Sequence, residues 1–234
     1  MNATEIALSS SPQGMLARLS GLLNIGGPMM WLIALLSVAS LTLILWKALH
    51  LYRMGIFGGG RRSAQALALW QAGQGQAAIA AVAGRKRARA MVVYCAMVAA
   101  QDGSLDQADA EAETERVARN ILAQARKGLR GLELAAAIGP LLGLLGTVTG
   151  MIAAFQGLQA AGARADTATL AGGIWEALLT TAAGMGVAIP AMIALTWFDS
   201  VLDGLRHDME DDATRVFLRH ARKPLLQSLR TAAE

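Results

Sequence analysis

A glutamate stands inside the longest apolar stretch of the chain, with hydroxyl side chains close by. Glu176 is the one charged residue between 168 and 198, and Thr180 and Thr181 follow it. A carboxylate at the centre of a membrane helix costs about 2.5 kcal/mol or more and seldom faces lipid. Such residues usually mark ion or proton paths, so we predict that Glu176 belongs to one. The alternative is a protonated glutamate that joins two helices by a hydrogen bond.

Threonines supply the other polar groups of the apolar stretches. Thr180 lies about one turn from Glu176 on the same helix face, whereas Thr181 is rotated from Glu176 by about 140°. The preceding apolar stretch carries Thr147 and Thr149. These hydroxyls could contribute to a proton path, or each could bond the carbonyl four residues earlier, as is common in membrane helices. Both interpretations stay open.

Glycines recur along the stretch that carries Thr147. Their G-x-x-x-G spacing lets another helix approach closely. Pro140 removes a backbone hydrogen bond and predicts a local kink. We assign four glycines, with Pro140, to helix packing: Gly139, Gly143, Gly146 and Gly150.

The composition indicates a membrane protein. Of 234 residues, 54% are hydrophobic and only 16% are charged, whereas soluble domains carry about a quarter charged residues. The single cysteine, Cys95, excludes a disulfide framework and a multi-cysteine metal site. Neither a phosphate-binding loop nor an H-E-x-x-H motif occurs. We therefore predict no metal, no cofactor and no enzymatic activity.

Three stretches are long enough to cross a bilayer. We place the transmembrane helices at 28–46, 131–158 and 168–198. A signal peptide is excluded for the first because a basic start and a cleavage site are missing. The sequence predicts an all-α integral membrane protein whose three transmembrane helices extend into a helical cytoplasmic domain.

Basic residues predict the orientation. Residues 47–130 hold 13 of the 21 Lys and Arg, and residues 199–234 hold six more. Because basic residues concentrate in cytoplasmic segments, both segments are expected inside the cell. We predict a periplasmic N-terminal segment at 1–27, a cytoplasmic helical domain at 47–130, a short periplasmic loop at 159–167 and a cytoplasmic C-terminal helix at 199–234.

The segment at 47–130 is rich in alanine and free of proline, which predicts helices. The apolar run at 90–100 is too short to span a bilayer, so we expect it to form the buried face of a helix that includes Cys95. A charged helix from Glu111 to Arg130 is predicted to lead directly into the second span.

A basic group at 85–89 has two interpretations. It could bind acidic lipid or nucleic acid, or it could set topology as solvated charge. We prefer the second because aromatic residues do not interleave with it. Membrane lipid is expected around the spans, and no nucleic acid is expected as a partner. The group consists of Arg85, Lys86, Arg87 and Arg89.

Two segments resemble the signature of the MotA/TolQ/ExbB proton-channel family. They read GLLGTVTGMI at 143–152 and GIWEALLTTAAGMGVAIPA at 173–191. The resemblance covers most of residues 110–205 and is closest to the ExbB and TolQ branches. It implies an all-helical subunit of the cell inner membrane that forms a pentamer around a dimer of single-span partners, ExbD or TolR.

The resemblance also implies residue roles. The family's pore-facing threonine of the second span matches Thr147, and its pore-facing glutamate and threonine of the third span match Glu176 and Thr181. The partner would bring a membrane aspartate that takes up and releases protons, and the complex would drive TonB or TolA. Which threonine contacts the partner stays open, because this chain departs from the family's usual residues at Thr149, Trp175 and Thr180.

These features together predict an ExbB-like subunit of an inner-membrane proton channel that energises TonB-dependent outer-membrane transport. A TolQ-like subunit of the Tol-Pal cell-envelope system is the first alternative. A passive membrane scaffold for a single-span partner is an alternative of another class, although a scaffold would not need Glu176 beside hydroxyls. A solute transporter usually shows more spans and inverted repeats. The predicted proton path consists of Glu176, Thr147, Thr181 and Thr180.

Overall fold

A computed structural model describes residue 21 and residues 27–58, 60–85, 87–102, 104–162 and 167–231, with side chains given as far as residue 218 except at 57 and 169. The described part is helical and contains no strand. Its helices are α1 (Gly27–Arg53), α2 (Gly60–Gln71), α3 (Gly75–Val82), α4 (Ala88–Gln101), α5 (Gln107–Arg126), α6 (Leu129–Ala161) and α7 (Thr167–Thr231), with a 3₁₀ turn at Ile56–Gly58. The predicted N-terminal segment at 1–27 lies almost wholly outside the described residues.

Three helical stretches of the described chain are long and apolar enough to cross a membrane. They are Gly27–Arg53, Gln107–Ala161 and Leu170–Leu218. The most apolar 18-residue windows have mean hydropathies of 2.2, 1.8 and 1.9, and no more than 22% of each window is buried within the chain. So much exposed apolar surface fits lipid or another protein chain rather than water. The prediction of an all-α membrane protein with three spans is confirmed.

The predicted limits of the segments differ slightly from the ends of the helices. Helix α6 continues to Ala161 and α7 begins at Thr167, so both enter the predicted loop at 159–167. Residues 163–166 of that loop lie outside the described chain. The side of the membrane on which each segment lies stays a prediction.

The helix predicted from Glu111 to Arg130 is interrupted before it reaches the second span. Helix α5 ends at Arg126, and α6 begins at Leu129. Between them Gly128 has a φ of +88°, a backbone conformation that favours glycine. The prediction of a direct continuation was therefore wrong, because a glycine turn separates the two helices.

A lysine distant in sequence binds the turn between α5 and α6. Lys47 is only 2% exposed, and its Nζ donates hydrogen bonds to the carbonyl oxygens of Ala125 and, at 2.6 Å, Lys127. The ring of Trp46 lies against Gly128, where an added Cβ would stand 2.8 Å from a ring carbon. The ammonium group thus occupies carbonyls that the end of α5 leaves without helical donors.

Internal contacts divide the chain into two compact units. One contains the residues up to 45 together with 129–195, and the other contains 46–128 and 196–234. The second unit has an apolar core in which α4 is a central element, and the predicted buried face of the 90–100 run is present there. Large members of this core are Leu67, Trp70, Val82, Val93, Met97, Val216 and Phe217.

The basic group at 85–89 is not uniformly solvated. Arg89 donates two hydrogen bonds of 3.0 Å to the carboxylate of Asp212 and one of 2.7 Å to Asp208. Asp212 is 2% exposed, so this is a largely buried ion pair. The interpretation as solvated charge is therefore wrong for Arg89, whereas Lys86 lies outside the described residues.

Candidate functional site

Helices α6 and α7 approach each other through small residues. A Cβ added at Gly139 would lie 2.9 Å from the carbonyl oxygen of Gly184, and one added at Gly143 would lie 2.9 Å from Cα of Thr181. Both neighbouring atoms belong to the backbone and cannot move aside cheaply. Only glycine fits at these two positions, and the two backbones meet directly, as small residues allow in membranes.

The same contact continues along the pair. A Cβ at Gly150 would lie 3.0 Å from Cβ of Ala177, and one at Gly173 would lie 2.5 Å from Cβ of Ala154. Partner numbers fall along α7 as they rise along α6, so the two helices are antiparallel. We call this contact the hairpin seam, formed by Gly139, Gly143, Gly146, Gly150 and Ala154 of α6 and Gly173, Ala177, Thr180 and Gly184 of α7.

Thr180 is a member of the seam. Its side chain is 2% exposed, and its Cβ lies 2.7 Å from the place where a Cβ on Gly146 would stand. Its hydroxyl donates to the carbonyl oxygen of Ala177 at 2.7 Å. Buried in this way, Thr180 packs two helices together and has little surface to offer to a proton path.

Thr181 lies beside the seam and joins the two helices. Its hydroxyl donates a 3.0 Å hydrogen bond to the carbonyl oxygen of Gly143, 38 residues earlier. The side chain is half-buried. Because glycine brings the α6 backbone so near, a threonine on α7 can reach a main-chain carbonyl of the neighbouring helix.

Thr147 lies one turn after Gly143 on α6. Its hydroxyl donates to the carbonyl oxygen of Leu144 at 2.7 Å, three residues back rather than four. Thr149 donates to the carbonyl of Leu145 at 3.0 Å, which is the four-residue bond considered from the sequence. Helix α6 continues through Pro140, so this proline does not end the helix.

Glu176 is half-buried, as Thr147 and Thr181 are. Its Oε1 is 3.7 Å from the place where a Cβ on Gly27, at the start of α1, would stand. Gly27 has a φ of +59°. The described contacts bring Thr181 to Gly143, one turn before Thr147, and they bring Glu176 to the start of α1.

The sequence analysis missed the half of the seam that α7 contributes. Small residues recur there at intervals of three or four, at Gly173, Ala177, Thr180 and Gly184. That periodicity is the signal that could have found them. Lys47 was missed as well, and it has no such local signal because its carbonyl partners lie 78 and 80 residues away.

Comparison with known proteins gives a family match. Residues 77–211 match the model of the MotA/TolQ/ExbB proton channel family. A putative biopolymer transport protein ExbB-like 1 of Synechocystis is 49% identical over 81 residues, which are 34% of this chain and 32% of that protein.

Further relatives match a similar region. The biopolymer transport protein exbB1 of Vibrio cholerae is 41% identical over 90 residues, which are 37% of this chain and 40% of that protein. The biopolymer transport protein ExbB of Salmonella typhimurium is 36% identical over 110 residues, 46% of this chain and 45% of that protein. The chain thus matches between a third and a half of the length of these relatives.

Proposed function

Since the chain belongs to the MotA/TolQ/ExbB proton channel family, we propose that it is an ExbB-like subunit of an inner-membrane proton channel. In this role it uses the proton motive force to energise TonB-dependent transport across the outer membrane. The curated relatives named above are ExbB proteins, which favours this branch over a TolQ-like role. The N-terminus lies in the periplasm and the C-terminus in the cytoplasm.

The proposed complex contains several chains. Five copies of this protein surround an ExbD-like single-span partner with a membrane aspartate, and the complex transmits energy to a TonB-like protein. Large apolar side chains that α6 and α7 leave exposed are consistent with such an assembly. They include Leu141, Leu144, Val148, Ile152 and Phe155 of α6 and Trp175, Leu178, Ile189 and Ile193 of α7.

The proposal rests on the polar edge of the hairpin seam, which consists of Thr147 and Thr181, half-buried beside the seam. Glu176 is the one carboxylate of the third span. In the proposed channel these groups give a proton-carrying carboxyl a polar wall inside the hydrocarbon. Thr180 supports this wall from within the seam, so we assign it to helix packing.

Replacement of Glu176 tests the proposal. Glu176→Ala should abolish TonB-dependent uptake of an iron–siderophore complex, because the wall loses its only titratable group. The amount of assembled complex should stay near the wild-type level. The matched control is Glu133→Ala, which removes an exposed carboxylate from the first turns of α6 and should leave uptake unchanged. Uptake and complex abundance are measured in the same cells.

The alternatives predict different results. If Glu176 only joins helices by a hydrogen bond, Glu176→Ala should lose complex and uptake in parallel. If the protein is a passive scaffold, uptake should persist as long as the partner remains in the membrane. Normal uptake with Glu176→Ala at normal abundance would refute the proposed role of this carboxylate.

A further inference from the structure

Helix α4 exposes large apolar side chains although it is too short to cross a membrane. Met91, Tyr94 and Val98 are 43%, 40% and 40% exposed, and their spacing of three and four residues places them on one face of the helix. The helix has 14 residues and is about 21 Å long, whereas the hydrocarbon core of a bilayer is about 30 Å thick. We call these three residues the α4 stripe. Exposed apolar surface outside a span is typical of a contact with another protein.

The same compact unit contains a groove between α5 and α7, which we call the α5–α7 groove. It has a volume of about 930 Å³ and is lined by α5 from Gln107 to Arg126 and by α7 from Arg206 to Leu218. Buried apolar residues that line it include Val92, Met209 and Phe217. The groove follows about 28 Å of α5. A groove of this length between two helices suits another helix.

The charges that line the α5–α7 groove change sign along α5. Glu111 and Glu115 lie toward the start of the helix, and Arg119 and Arg126 lie toward its end. Glu115 and Arg119 pair with each other at 2.9 Å, but exposed pairs contribute little to stability and can exchange partners. The groove-lining charges of α7 are one of each sign, paired at 2.8 Å. The α5 side of the groove therefore presents an acidic half and a basic half to an occupant.

Helix α4 has the opposite order of charges. Arg85 and Arg87 precede the helix and Asp102 follows it, and all three side chains are exposed. The helix dipole has the same sense, positive at the start of α4 and negative at its end. The length of α4, about 21 Å, is close to the distance of about 22 Å along α5 between Glu111 and Arg126. Laid parallel to α5, α4 would bring its basic end to the acidic half of the groove and its acidic end to the basic half.

The α4 stripe faces away from the groove of its own chain. Val92 of α4 lines that groove, and Tyr94 is rotated from Val92 by about 160° on the same helix. A chain therefore cannot fill its own groove with its own stripe, and both surfaces are available to another molecule.

We propose that the α4 stripe of one copy of this protein docks in the α5–α7 groove of a second copy, with α4 parallel to α5. This inference rests on the proposed function, which requires several copies, and it identifies a contact between them outside the spans. Because the stripe and the groove are different surfaces, the contact is head-to-tail and can repeat around a ring. The register that matches the charges places Arg87 opposite Glu111, Tyr94 opposite Ala118 and Asp102 opposite Arg126.

Cross-linking between two differently tagged chains tests the contact. In a Cys95→Ser background, one chain carries Tyr94→Cys and the other carries Ala118→Cys. The complex is purified from membranes that contain both chains and is treated with a short bis-maleimide. We expect covalent dimers that carry both tags. The matched control replaces Ala118→Cys by Asn120→Cys, an exposed position that is rotated from Ala118 by about 160° on α5, and it should give no dimer.

Charge reversal tests the register of the same contact. Asp102→Arg or Arg126→Glu alone should lower the yield of the cross-link by about two- to fivefold, the effect of one exposed ion pair. The two reversals together should restore the yield. Arg116→Glu is the matched control, because this exposed arginine pairs with Glu113 within α5, and it should leave the yield unchanged. Equal yields from all of these variants would refute the register.

Three outcomes of the cross-linking experiment overturn the inference. Dimers formed by Tyr94→Cys alone would mean that two stripes face each other. A cross-link from Ala118→Cys to the co-purified single-span partner would mean that the partner occupies the groove. If native mass spectrometry shows an oligomer but no dimer carries both tags, the copies meet elsewhere, and the proposed function stands without this contact. If the chain is only monomeric, the proposed function fails as well.

Discussion

Neighbouring residues of α7 have opposite surroundings. Thr180 is enclosed by the seam and packs on Gly146, whereas Thr181 is half-buried and bonds the carbonyl of Gly143. A rotation of about 100° separates adjacent helical residues, which is enough to move a side chain from the contact surface to its edge. At the residue scale, an identical hydroxyl thus serves packing at one position and is available to a ligand at the next.

Cys95 allows a prediction about reactivity. Burial raises the pKa of the Cys95 thiol, an effect only partly opposed by a hydrogen bond with Thr114. Because the thiolate is the reactive form, alkylation of Cys95 by iodoacetamide should become fast only at a pH above that of an exposed cysteine. The rate is measured against pH by mass spectrometry, with Gln107→Cys in a Cys95→Ser background as the exposed control. Equal pH profiles for the two thiols would contradict the prediction.

At the scale of elements, the seam determines how α6 and α7 can pair. At Gly139 and Gly143, α6 lies against backbone atoms of α7. Backbone atoms, unlike a side chain, cannot move aside by a change of rotamer. In membranes, helix association depends on such close contact, because lipid tails are as apolar as the side chains and the hydrophobic effect does not drive helices together. We therefore expect a single methyl group in the seam to be costly.

Gly143→Ala tests this cost. Its new Cβ would stand 2.9 Å from Cα of Thr181 and 3.1 Å from the carbonyl oxygen of Thr180. Overpacking of this kind costs about 1 to 3 kcal/mol, so the purified protein should denature at a lower temperature in detergent. Gly157→Ala is the matched control on the same helix, since a Cβ there meets nothing within 4 Å. Equal stability of the two variants would mean that the seam tolerates an added methyl group.

Local sequence patterns predict some elements and not others. The three apolar stretches and the glycine spacing of α6 were visible because they depend on nearby residues alone. The direction of the Thr181 hydrogen bond was not, because it depends on which carbonyl of α6 the close approach presents. The break at Gly128 was missed for a similar reason, since the lysine that bonds the carbonyls at this turn lies in a distant part of the chain.

At the scale of the whole molecule, charge and apolar surface are separated along the chain. The unit containing residues 46–128 and 196–234 carries 18 of the 21 Lys and Arg. The other unit holds the polar edge of the seam and the remaining three Lys and Arg. This distribution supports the proposed orientation, in which the charged unit faces the cytoplasm.

Labelling of introduced cysteines tests this orientation. In a Cys95→Ser background, Gln107→Cys and Gln227→Cys should be protected from an impermeant maleimide in intact spheroplasts. Asn2→Cys and Ala163→Cys should react, because they lie in the predicted periplasmic segments. Permeabilised spheroplasts serve as the control for intrinsic reactivity. Reaction of Gln107→Cys in intact spheroplasts would refute the orientation.

The bond between Lys47 and the end of α5 also has a consequence for biosynthesis. The ribosome completes the first span about 80 residues before it adds Lys127, the second carbonyl partner of Lys47. Until then the ammonium group cannot make both of the carbonyl hydrogen bonds that it has in the folded chain. Burial of Lys47 is therefore a late event, which can occur only after the helices that follow it have been translated and folded back against the end of α1.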